Sequence, residues 1–135
     1  MALLPVDDPG FDGFGAQLNT EIVAVAGEAL AALVPFFIDP ADGLAKNSNG
    51  GAAGTALCHG ITPQAQAIGQ VFTGLDPGTV FTLDRGNTLT PGDPVFLGAT
   101  DGRYDDTATL SDTTGIGLVV STSDVKFMQP KLVAG

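Results

Sequence analysis

One cysteine and one histidine stand side by side in this chain, as Cys58 and His59 in "LCHGIT". A thiol beside an imidazole is the raw material of a nucleophilic dyad. The flanking residues read as a strand, however, and neighbouring strand residues point to opposite faces, so the two cannot hydrogen-bond usefully within it. Cys58 is expected as a small buried hydrophobe and His59 as its outward polar neighbour. Zinc would need a tetrahedral ligand set, which one Cys and one His do not make. The second candidate is acidic: "TDGRYDDTATLSD" carries Asp101, Asp105, Asp106 and Asp112. It lacks the ligand order of an EF-hand and the bidentate Glu that closes one, so it reads as a solvated acidic loop. "GIGLVV" and "GFDGFG" are glycine-rich, but neither has the strand–loop–helix setting of a phosphate cradle. No catalytic, metal or cofactor site emerges, and a non-enzymatic protein is expected.

The elements around these residues follow from composition. The chain has 135 residues, enough for one domain with a real core. Hydrophobic residues make up 44% of it and mean hydropathy is positive, which excludes a disordered chain. Fifteen acidic residues against five basic ones give a formal charge of -10. Such a chain repels phosphate, so neither nucleic acid nor anionic membrane is expected as a partner. A lone cysteine excludes an internal disulfide. "MALLPVDDPG" has no basic n-region and meets Pro and Asp before any h-region, so no secretion signal is expected. No apolar run approaches the roughly 20 residues of a membrane span.

Nineteen Gly and nine Pro punctuate the chain at short intervals, which is hostile to long helices. Between them lie strand-length runs rich in Val, Ile, Phe and Thr: Thr20–Ala26, Pro35–Ile38, Leu57–Thr62, Gln70–Thr73, Thr79–Leu83, Pro94–Leu97, Ile116–Ser121 and Val125–Met128. In "TVFTLD", Val80 and Thr82 take one face and Phe81 and Leu83 the other. "GEALAALV", Gly27–Val34, allows at most a turn or two of helix before Pro35. The fold class is all-β, a small β-sandwich or β-barrel.

A repeat organises these strands. "PFFIDPADG" and "PVFLGATDG" share Pro, a central Phe and an Asp-Gly turn at a constant offset of 59 residues (Pro35 to Pro94, Phe37 to Phe96, Gly43 to Gly102). Without a gap, the offset also matches Leu30 to Leu89, Thr55 to Thr114, Leu57 to Ile116, Thr62 to Ser121 and Gln70 to Gln129. The quasi-repeat covers 29–70 and 88–129. Each copy reads as strand, Asp-Gly turn, variable polar loop and strand, with Asp-Gly supplying the positive φ of a tight turn. One core built from two similar β units is expected within a single domain, 20–135.

Residues 1–19 carry Pro5, Pro9, Phe11 and Phe14 without periodicity and read as an extended N-terminal arm. Its two phenylalanines are costly to leave wet, so docking on this protein or on a neighbour is expected. Lys126 and Lys131 give the acidic molecule one basic end.

The phrases "AGEALAALVPFFIDPADGLAKN", "GITPQAQAIGQ", "LTPGDPVFLGATDGRYDD" and "GIGLVVSTSDVKF" resemble those of the capsid decoration, or cement, proteins of tailed bacteriophages. The resemblance spans roughly residues 20 to 129 and rests on turn and strand phrases. It implies a protein made in the host cytoplasm that sits on the outer capsid surface of the virion. There it would bridge neighbouring major capsid subunits and self-associate, a trimer ahead of a dimer. Phe11, Phe14, Lys126 and Lys131 are the candidate capsid or intersubunit contacts. The main alternative is a carbohydrate- or receptor-binding β-sandwich module on a virion or cell surface, although Tyr104 is the sole tyrosine and tryptophan is absent. A small enzyme domain of the β-clip type is a further rival, because "LTPGDPVF" resembles a turn phrase of such units; here Pro91 and Gly92 make the turn and Asp93 caps it.

Overall fold

The computed structural model describes residues 21–135, which form ten short strands with no helix among the described residues. They are β1 (Val23–Val25), β2 (Pro35–Ile38), β3 (Ala45–Asn47), β4 (Gly60–Ile61), β5 (Val71–Thr73), β6 (Val80–Thr82), β7 (Pro94–Leu97), β8 (Tyr104–Asp105), β9 (Gly117–Val119) and β10 (Asp124–Phe127). They make three antiparallel sheets, ordered β1-β5, β3-β2-β4 and β6-β10-β9-β7-β8, as in a small β-sandwich. The expected arm, with Phe11 and Phe14, lies outside the described residues.

The two halves share most of one pairing scheme, although β9 and β10 pair as strands in the second half while β4 and β5 of the first meet only at the Ile61–Leu75 bridge. In the first, β2 lies between β3 and β4, with Phe37 opposite Lys46 and Pro35 opposite Ile61. In the second, β7 lies between β8 and β9, with Phe96 opposite Asp105 and Pro94 opposite Leu118. The first strand of each half pairs with the fifth: Ala24 faces Phe72, and Phe81 faces Val125. The Asp-Gly turns also match, since Asp39 N–H donates to Leu44 O (2.9 Å) and Gly98 N–H to Arg103 O (2.8 Å). Gly43 and Gly102 hold φ of 74° and 65° there, a conformation glycine adopts without a Cβ penalty.

The gapless offset does not hold throughout. It is 59 for β2 and β3 (Phe37 to Phe96), 57 for β1 and β4 (Ala24 to Phe81, Gly60 to Gly117) and 53 for β5 (Phe72 to Val125). Leu57 with Ile116, Thr62 with Ser121 and Gln70 with Gln129 are therefore not structural equivalents. Ladder register is fixed by which face must be buried, whereas loops tolerate changes of length.

The core also departs from expectation, because among the described residues it forms two clusters. One lies wholly within the first unit and joins Ala24, Ala26, Leu30, Val34, Phe36, Ala45 and Phe72. The other belongs to the second unit, with Phe81, Val95, Leu97, Ile116, Val119, Val125 and Phe127, and takes in Cys58 and Ile61 from the first. The units fill equivalent space in opposite ways. Phe36 is fully buried, edge-on to Phe72 with ring centroids 5.0 Å apart. A Cβ on Gly60 or Gly74 would come within 2.8 Å or 2.7 Å of the Phe36 ring, so both positions must stay bare. In the second unit Val95 replaces Phe36, and Phe127 stands where Gly74 does. Large and small residues have exchanged places across the core, as close packing requires.

Two strands were not legible. β3 and β8 fall in what reads as variable polar loop, because "AKN" and "YD" carry no apolar alternation and owe their extension to pairing with β2 and β7. The helical allowance at Gly27–Val34 is corrected as well. Leu30 exchanges backbone hydrogen bonds with Gln66, and Leu33 sits at φ 57°, so the segment turns instead of coiling.

Candidate functional site

The Cys58–His59 pair forms no dyad. Cys58 is fully buried, and its Sγ–H donates to Gly60 O (3.4 Å). Burial pushes its thiol up to about 12, leaving no thiolate at neutral pH. His59 is half-buried, not fully outward as expected, and its Nδ1 accepts the Ile38 N–H (2.8 Å). Burial lowers the imidazole below its usual range, which keeps it in the neutral form this hydrogen bond needs.

The acidic segment is not one solvated loop. Asp112 is fully buried and accepts the Leu97 N–H (2.7 Å) and the Gly115 N–H (2.9 Å). Its Oδ1 lies 3.4 Å from Nζ of Lys131. Lys131 is thereby corrected from an exposed basic end to a buried residue, whose Nζ also reaches Thr114 Oγ1 and Gly135 O, each at 3.1 Å. Antiparallel hydrogen bonds between Cys58 and Lys131 hold the same segment to the first unit. Lys126 is half-buried on β10, opposite Val80, so the two lysines make no common basic patch. Asp101 accepts from the Asn49 amide (2.9 Å) across the two units. The Thr107 N–H, and then its hydroxyl, hold the Asp105 carboxyl below the usual carboxylate range. Among the described residues no group of three or more His, Cys, Asp or Glu could hold a metal ion.

A cleft of about 590 Å³ opens where loops of the two units meet, lined in part by Ala31, Leu33, Asn47, Leu83, Arg103 and Tyr104. Tyr104 is not an open platform. It packs against Phe81 with ring centroids 6.0 Å apart and donates its hydroxyl to Leu33 O (2.7 Å). Burial raises its phenol well above the usual range.

What sequence reasoning missed is apolar surface. Leu110, Leu132 and Val133 are 84%, 67% and 76% exposed. Backbone near them is hydrogen-bonded: Gly135 N–H donates to Ser111 O (2.7 Å) and Ser111 N–H to Gly50 O (2.8 Å). The one available signal was "FMQPKLVAG", an apolar ending after a strand-stopping proline. The chain matched no protein-family model, no curated protein and no solved structure in the comparisons made. Among the described residues, no helix is long and apolar enough to cross a membrane.

Proposed function

We propose that this chain is a structural virion protein that binds the outer surface of an icosahedral phage capsid and cements neighbouring major capsid subunits. The observation that carries this reading is the exposed trio Leu110, Leu132 and Val133. Exposed apolar side chains flanked by hydrogen-bonded residues such as Ser111 and Lys131 favour docking, because less ordering remains to be done on contact. Lys131 contributes by anchoring that segment from inside, through Asp112, instead of meeting a partner itself. The resemblance of the turn and strand phrases to capsid decoration proteins supports the same role. Copies bound at many lattice sites would add modest contacts into a strong whole. Self-association, as a trimer ahead of a dimer, belongs to the same proposal. The alternative, a carbohydrate- or receptor-binding module, would need an aromatic platform, and Tyr104 is already committed to Phe81 and Leu33.

The test is location. Antibody against the purified chain is used to probe a density gradient of particles from a lysate of the source culture. Co-banding with virions, in fixed ratio to the major capsid protein, is expected. Recovery only in the particle-free fractions would overturn the proposal.

A further inference from the structure

The two units treat the seam between their first and third strands differently. In the first unit Ala26 and Ala45, both buried, meet in a parallel bridge, and Gly27 N–H donates to Ala45 O (2.8 Å). By the offsets above, Leu83 and Tyr104 hold the equivalent positions in the second unit. No bridge joins them. Asp84, which stands where Gly27 does, donates its N–H to Ser123 O instead (3.1 Å). Two large side chains replace two methyl groups, and the seam stands open. The cleft of about 590 Å³ has Thr82, Leu83, Arg103 and Tyr104 in its wall. A second cavity, of about 260 Å³, shares Leu83 and Tyr104.

Backbone register turns unused hydrogen-bonding groups toward that seam. Phe127 N–H donates to Thr79 O and Leu83 N–H to Ser123 O, each at 2.9 Å, so Phe81 and Val125 are a hydrogen-bonded pair of this ladder. The N–H and C=O of Val80 and Thr82 therefore point away from β10. On β8, Gly98 N–H donates to Arg103 O (2.8 Å), which makes Leu97–Tyr104 a non-hydrogen-bonded pair. The Tyr104 N–H and C=O thus point away from β7. No described residue pairs with these groups. An unpaired strand edge is a template for another strand. Charge narrows the partner. Lys46 and Lys131 contact carboxylates, whereas Arg103, exposed at the cleft, has none within ion-pair distance among the described residues. We infer that the seam takes up an extended segment of another protein, which pairs with the Thr82 and Tyr104 edges. Such a segment sets an apolar side chain against Leu83 and Tyr104 and presents a carboxylate to Arg103. The inference does not rest on the capsid role proposed above.

Hydrogen exchange of single backbone amides, read by NMR on the full-length protein, tests the edges. Fast exchange at Thr82 and Tyr104 is expected beside slow exchange at the paired Phe81 and Val125. The probes are capped octapeptides alternating valine with threonine, with glutamate or lysine in place of one threonine. The glutamate peptides are expected to slow exchange at Thr82 or Tyr104, and to bind about fivefold tighter than the lysine peptides. Arg103→Glu is expected to reverse that preference, with Phe81 and Val125 still slow as the sign of a folded domain. Slow exchange at both edge amides in the free protein would place another part of the chain, or a second copy, in the seam and overturn the inference. So would a failure of every peptide to slow either amide, or a preference that Arg103→Glu leaves unchanged.

Discussion

Replacing Phe36 by alanine tests the exchange of large and small residues between the two units. The ring is fully buried and lies against Phe72 and the bare backbone of Gly60 and Gly74. Its removal is expected to cost about 3–5 kcal/mol, the transfer and cavity terms together. With roughly 2 cal/mol/K per residue of unfolding entropy, that lowers Tm by about 10–20 °C. Gly74→Ala attacks the same contact from the other side. Its Cβ would sit 2.7 Å from Cζ of Phe36, so it is expected to cost about 1–3 kcal/mol by overpacking. Once the ring is gone the methyl group has room. The double variant is therefore expected to be more stable than the sum of the singles predicts, by about 1 kcal/mol or more. Urea titrations of the four proteins, followed by circular dichroism, measure the cycle. Additive losses, or a Phe36→Ala cost under about 1 kcal/mol, would refute the packing argument.

Lys131→Met strands the buried Asp112 carboxylate, although its two backbone donors remain, and is expected to cost about 3 kcal/mol in urea titration. Stability is expected to fall as pH drops below the ordinary histidine range. His59 is lowered in the folded state by burial, so over that window the unfolded chain binds the extra proton; His59→Gln, melted at pH 7 and pH 5, should flatten the dependence. Gly43→Ala and Gly102→Ala share a strained positive φ, at about 1 kcal/mol each. Only Gly102→Ala also meets a neighbour, Asn47 Oδ1 at 2.7 Å, so its loss of Tm should be the larger.

Much of this fold was legible because turn chemistry is local. Pro35–Ile38 and Pro94–Leu97 match β2 and β7, since an opening proline and an Asp-Gly turn mark both ends of the run. β3 and β8 were not legible, because a neighbouring strand extends them and their own side chains do not. Nor was the ion pair. Asp112 sits among exposed aspartates in the sequence, and only the closure of Leu97 and Gly115 backbone around it, with Lys131 arriving from the C-terminal segment, makes it interior. The outer valines of β1 were visible in "IVAVAG", where apolar residues fall on both faces, but the pattern does not say which face stays wet. Site reasoning fared worst where it relied on charge. Lys131 looked like surface because lysine usually is, and burial with a paired carboxylate is the exception that the fold supplies.

The proposed cementing role is tested most directly on shells. Virions isolated from the source culture and washed free of peripheral protein are mixed with purified wild-type protein or with Leu132→Asp/Val133→Asp, and the temperature at which they rupture is recorded. Wild-type protein is predicted to bind in fixed ratio and raise that temperature, while the double variant, still folded, binds weakly and leaves it unchanged. Rupture at the same temperature with and without the wild-type protein would contradict the account.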